Sequence, residues 1–230
     1  MIITEDDRIW VLEHHPGLNV TDTGISGTIE FRATYDNDAD YFVVLPRGER
    51  ADVSGVVLTC KFEIDIVDRE RKSASELPAL YVRGVPRISD RHCEFDGIAC
   101  LCSPFDEDDY LRPAFRFRPF FEKLVIPYLY GQEFYNQFDC WPWSEYDHGV
   151  TGLLQSFVNV SLDETARCLQ KFATTPDWTT LKALLGQTQI GGHTPCLCPK
   201  RDQFRRCHPD ALQGLRRLHQ AVREQGLVLP

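Results

Sequence analysis

In the front part of the chain the apolar positions repeat every second place. In VVLTCKFEIDIV (56–67), Val56, Leu58, Cys60, Phe62, Ile64 and Ile66 form one set, and Thr59, Lys61, Glu63 and Asp65 form the other. That is the period of a strand with one covered face. GTIEFRATY (27–35) alternates in the same way, with Ile29, Phe31, Ala33 and Tyr35 on one side. YFVVLP (41–46) and ALYVRG (79–84) read as two shorter strands, and the turn signals DNDAD (36–40) and PRGERAD (46–52) punctuate the series. Short connections between successive strands predict an antiparallel four-stranded meander.

After residue 102 the period becomes helical. FRPFFEKLVIPYLYGQEFYNQ (117–137) is apolar at Phe117, Phe120, Phe121, Leu124, Val125, Tyr128 and Leu129, and Pro127 should end or kink that helix. VTGLLQSFV (150–158) predicts a short helix. Ser161 stands three residues before Glu164, the capping-box spacing, ahead of Leu162, Ala166, Leu169 and Phe172. TPDWTTLKALLG predicts a helix ending at Gly186, and PDALQGLRRLHQAVREQG an amphipathic one with Leu212, Leu215, Leu218 and Val222 on one side. Strands first and helices after is an α+β layout, with helices on one face of the sheet. The expected division is a domain over 1–160 and a helical extension over 161–230.

Composition narrows the class. With 230 residues, 43% of them hydrophobic, the chain can bury one large core or a core plus a small module. No apolar run approaches the length of a membrane span, and MIITEDDRIW lacks the basic and apolar parts of an export signal. A cytoplasmic protein with no membrane partner is expected. Nine cysteines, an odd count in a chain of this size, suit intracellular thiols that bind metal or react. A net charge of −9 argues against a nucleic-acid partner, because phosphate binding needs a cationic surface; KRDQFRR (200–206) is the local exception.

The chemistry-bearing residues gather in two clusters. CLCPKRDQFRRCH (196–208) has the spacing C-x-C, eight residues, then C-H. Cys196, Cys198, Cys207 and His208 supply four soft or borderline donors on two short turns, the set a tetrahedral zinc ion takes. Pro209 then opens the last helix. A tail this small gains from a metal staple, so one structural zinc per chain is expected. The spacing resembles the SEC-C zinc-binding motif, a short C-terminal module of several bacterial proteins, with Pro199-Lys200-Arg201 where that motif carries glycines.

RHCEFDGIACLC (91–102) admits three readings. His92, Cys93, Cys100 and Cys102 can be metal ligands. His92-Cys93-Glu94 can open a zinc deaminase, although Pro195-Cys196-Leu197-Cys198 is one residue short of that chemistry's second half. Or one of the cysteines is a nucleophile. Taken with its surroundings, the stretch resembles the ubiquitin-conjugating (UBC) family. The meander, Pro78 before the fourth strand, His92, Gly97-Ile98-Ala99-Cys100-Leu101 and the following helix stand in that family's order over about residues 27–137. The nearest likeness is to divergent prokaryotic members, some encoded in bacterial conjugation and antiphage defence operons. The Glu145-x-x-His148-Gly149 stretch is similar to a feature of that group.

The resemblance implies that Cys100 carries a ubiquitin-like modifier as a thioester and passes it to an amine of a target protein. An activating enzyme would be the other partner. Thiolate suits this because it both attacks and leaves well. His92 stands where the family's H-P-N turn begins, with Cys93 and Glu94 in place of its proline and asparagine. His148 would supply a donor or orient the site. Cys102 is an alternative nucleophile or a resolving thiol. Asp106, Asp108 and Asp109 of the DEDD run would position or deprotonate an acceptor lysine, or form a solvated loop. Two other classes stay open: an inactive UBC-fold scaffold that binds a ubiquitin-like partner, and a zinc or redox site on Cys93, Cys100 and Cys102.

Overall fold

Thr4 opens the fold. Its hydroxyl accepts from Asp7 N at 3.1 Å, and its own N–H donates to Asp7 Oδ2 at 3.0 Å. This reciprocal cap starts helix α1 (Glu5–His14). The structure is a computed structural model that describes residues 3–36, 41–46, 55–68, 77–111 and 114–230. The turn signals at 37–40 and 47–52 lie outside them.

Among the described residues five strands follow: β1 (Leu18–Val20), β2 (Gly24–Asp36), β3 (Tyr41–Leu45), β4 (Leu58–Val67) and β5 (Ala79–Val82). All pair antiparallel, in the order β1-β2-β4-β5. The stretch at 41–46 is a strand, but it does not stand between its neighbours as the meander reading expected. Among the described residues β3 pairs with β2 alone, through Arg32↔Leu45 to Asp36↔Tyr41. The reason is length. β4 pairs along Gly24↔Val67 to Ala33↔Leu58 and so occupies one side of β2 over residues 24–33. β1 and β3 share the other side, one at each end.

β4 alternates buried and exposed at every residue, as its sequence requires. Its inner face, Leu58, Cys60, Phe62, Ile64 and Ile66, joins Ile29, Phe31 and Leu80 in one core. Across from them lie Phe117, Phe120, Phe121, Val125, Leu129 and Tyr130. Each such side chain contributes roughly 1.5–3 kcal/mol by burial. After α2 (Pro104–Leu111), these partners come from α3 (Phe117–Phe120), a π turn (Phe121–Val125) and α4 (Ile126–Phe138). Pro127 was expected to end or kink this helix; it falls in the first turn of α4, directly after the π turn, and α4 runs from there to Phe138. The wider turn absorbs the missing donor: Ile126 N bonds back to Phe121 O, five residues away, immediately before the proline.

The described chain divides into two units. The first holds the sheet and residues up to 102, with 107–144; the second holds 103–106 and 145–230. Residues 145–160, placed by sequence with the strand domain, fall in the helical unit. Their helix α5 (Gly149–Phe157) packs against the last helix, α9 (Pro209–Glu224). Between them come α6 (Thr165–Ala173), α7 (Trp178–Leu185) and the single turn α8 (Phe204–Cys207). Ser161 precedes a 3-10 turn and makes no capping bond, and Glu164 instead pairs with Arg167 at 2.6 Å. Leu154, Phe157, Leu169, Phe172, Leu181, Leu215 and Leu218 form a second core. The fold class is α+β, with an antiparallel sheet. Among the described residues no helix is long and apolar enough to cross a membrane.

Candidate functional site

The first cluster folds as a small hairpin on the edge of β5. Ala99 N donates to Leu80 O at 2.9 Å, and Ile98 bridges Tyr81. Within the hairpin, Cys100 N donates to His92 O and Glu94 N to Ile98 O, each at 2.8 Å. The tip is EFDG. Gly97 closes it at φ 93, a conformation that favours glycine, and Asp96 Oδ1 accepts from Ile98 N at 3.1 Å. Phe95 at the tip is 91% exposed.

A buried polar network holds the base of this hairpin. Arg91 Nε donates to Gln132 Oε1 at 2.8 Å, and its Nη2 to Asn136 Oδ1 at 2.6 Å. Its guanidinium lies 4.6 Å from the centre of the Tyr135 ring. Gln132 Nε2 returns a bond to Arg91 O at 2.6 Å. Tyr128 OH reaches both Arg91 O and His92 O, and Trp141 Nε1 donates to Asp90 O at 2.9 Å. His92 itself takes a left-handed turn, φ 42, with its ring 4.9 Å from that of Trp141. Gly131 on α4 makes room for Trp141, since a Cβ there would collide with the indole. Sequence reading took Tyr128 only as an apolar helix position and gave Arg91, Gln132 and Asn136 no role. The three α4 residues stand at i, i+4 and i+8, a helical face that points to a shared partner.

Cys100 is half-buried, and its thiol is pushed up, first by burial and then by the charges of Glu94 and Glu107. Burial likewise pushes the buried Cys93 up, against an opposing pull from Arg87. Cys102 is half-buried against the first core. The acidic run separates by role. Asp106 lies in the second unit and caps α2 with Ser103, whose Oγ accepts from Asp106 N at 3.2 Å. Asp108 is buried and Asp109 exposed. Glu107, which the sequence reading left out, accepts from Leu77 N at 2.8 Å and is the member of the run felt at Cys100. His148, exposed at the start of α5, belongs to the second unit, whereas Cys100 belongs to the first.

The second cluster comes together. Cys196, Cys198, Cys207 and His208 place one ligand atom each within 4.8 Å of all the others, and they are the only such group among the described residues. Cys196 N donates to Asp202 O at 2.7 Å and Arg201 N to Cys198 O at 3.1 Å, closing a hairpin that turns at Arg201, φ 55. The turn α8 then delivers Cys207, and His208 caps α9. Cys196 Sγ stands 3.1 Å from His208 Nδ1, and Cys198 Sγ 3.5 Å from Cys207 Sγ. A tetrahedral zinc site has ligand atoms about 3.5–3.8 Å apart, and these two separations lie at or a little below that range. Burial pushes the Cys196 thiol up to about 12. Burial works the same way at Cys198, but bonds from Cys207 and from Lys200 N outweigh it and hold that thiol low. These residues can hold a metal ion, and the donor set is compatible with zinc. Comparison with family models, with curated proteins and with solved structures found no match.

Proposed function

We propose that this chain is a UBC-like conjugating protein of a bacterial ubiquitin-like system, with a zinc-stapled helical unit that docks a partner. The observation that carries the reading is the placement of Cys100. It ends a hairpin hydrogen-bonded to the last strand of a sheet whose main path runs β1-β2-β4-β5, and the α3–α4 helix packs on that sheet. Cys100 is half-buried there rather than fully enclosed.

In this reading Cys100 Sγ attacks the activated C-terminal carbonyl of the modifier, and the carrier group leaves. A target amine then attacks the thioester, the C–N bond forms, and Cys100 departs as thiolate and regains a proton. Because Cys100 is held as a thiol, its proton has to leave as the C–S bond forms. Glu94 and Glu107 are the two carboxylates felt at the thiol and the candidates to take it. A zinc ion held by Cys196, Cys198, Cys207 and His208 would supply cross-linking only, since a closed four-ligand site is structural.

A second reading, an inactive scaffold that binds a ubiquitin-like partner, is favoured by the raised thiol and by Cys93-Glu94 at the turn. One experiment separates the two. The full chain is incubated with ATP and with a ubiquitin-like protein and activating enzyme encoded beside its gene. A thiol-sensitive adduct lost in Cys100→Ala and kept in Cys102→Ala supports the conjugating role. Binding of the modifier without any adduct supports the scaffold. An adduct that survives both substitutions overturns the assignment of Cys100. Metal analysis should return one zinc per chain; a second equivalent would assign metal to the first cluster.

A further inference from the structure

Sequence reading tied the EYDHG stretch (145–149) to the cysteine site through His148. In the structure its aspartate faces the metal cluster instead. His208 turns Nδ1 toward Cys196 Sγ at 3.1 Å and Nε2 toward Asp147 Oδ2 at 3.3 Å. The nitrogen beside the sulfurs is the one placed to bind an ion. The other is left to donate to the carboxylate, the arrangement by which an outer acid orients an imidazole ligand and raises its basicity.

Asp147 is itself held in place. Gln155 Nε2 donates to Asp147 Oδ2 at 2.5 Å, and Gln155 Oε1 accepts from Asp147 N at 2.7 Å. The chain before α5 folds back so closely that a Cβ on Gly152 would collide with the Asp147 carbonyl oxygen. Glycine at 152 and glutamine at 155 therefore serve one end, a carboxylate fixed opposite His208.

We propose that Asp147 is the positioning residue of the metal centre: it locks His208 with Nδ1 toward the ion and links the start of α5 to the 196–208 hairpin. The inference rests on the cluster taking zinc and is independent of any thioester chemistry at Cys100.

Zinc affinity of the full chain, measured by competition with a chromophoric chelator, tests it. Asp147→Ala should weaken binding about 10–100-fold. Asp147→Asn should fall between, because an amide oxygen still accepts from Nε2–H but carries no charge. In a His208→Cys background there is no imidazole to orient, so adding Asp147→Ala should leave the affinity unchanged. In the cobalt-substituted protein, Asp147→Ala should keep the thiolate charge-transfer bands and shift the visible ligand-field bands. An Asp147→Ala affinity within twofold of the parent overturns the inference. So does an equal loss in the His208→Cys background, which would mean that the carboxylate acts through α5 alone. If the alanine variant does not fold, Asp147→Asn decides: a loss of at least threefold sustains the role and none removes it. A parent chain that takes up no zinc would sink the metal reading itself, and this inference with it.

Discussion

Arg91 is a buried cation held by neutral groups: Gln132 Oε1 and O, Asn136 Oδ1 and the face of Tyr135. Its removal strands several of them away from water. Arg91→Leu should therefore cost roughly 3 kcal/mol in urea unfolding, the scale of leaving buried hydrogen-bonding groups unmet. Arg91→Lys should recover only part of that, since an ammonium lacks the planar fork. A loss below 1 kcal/mol in the leucine variant would show that the network is dispensable. Cys100 makes a prediction of the opposite kind, in rate. Burial, Glu94 and Glu107 all favour its neutral form. A thiol raised above the ordinary value of about 8.5 has less thiolate at neutral pH and gains tenfold per pH unit until its own pKa is passed. Iodoacetamide should alkylate Cys100 more slowly than exposed Cys140, and the Cys100 rate should still climb above about pH 9. A plateau below that pH, followed by peptide mass spectrometry, would contradict the assigned environment.

Elements differ in how plainly their residues announce them. The alternation of Leu58, Cys60, Phe62, Ile64 and Ile66 was enough to place β4, and the spacing of Leu212, Leu215 and Leu218 enough to place α9. α1 was missed although Thr4 and Asp7 spell its cap, because Glu5, Asp6, Asp7 and Arg8 obscure any apolar stripe. The position of β3 could not follow from its own pattern. It depends on β4 filling the far side of β2, a pairing between distant segments. At the sites, spacing alone picked out Cys196, Cys198, Cys207 and His208, because metal ligands lie close in sequence. Arg91 and Asp147 answer to partners some 40 to 60 residues away, and no local pattern carries that. Close packing between helices is testable at one atom. A Cβ on Gly214 of α9 would run into the Leu154 carbonyl oxygen of α5. Gly214→Ala should thus destabilise the protein by about 1–3 kcal/mol despite its better helix propensity. Thermal melts that show a gain would mean that the two helices separate at little cost.

On the scale of the whole molecule, the two hydrophobic clusters share no residue, and Cys196, Cys198, Cys207 and His208 all lie in the second unit. Removing the ion should act on one of them. With excess chelator, the melting transition of the helical unit should drop by many degrees while the transition of the sheet unit stays within a degree or two, since metal binding free energy is folding free energy only for the part that holds the ligands. Calorimetry with and without zinc reads this directly, and equal shifts in both transitions would refute it. The ring of contacts around His208 has a further consequence, in time. Asp147 leaves the ribosome about sixty residues before His208 does. At ordinary rates of about 5–20 residues per second, the sheet has several seconds in which to pair before the last ligand emerges. The carboxylate waits just before α5 until the imidazole arrives, so the Asp147–His208 contact closes late in the assembly of the second unit.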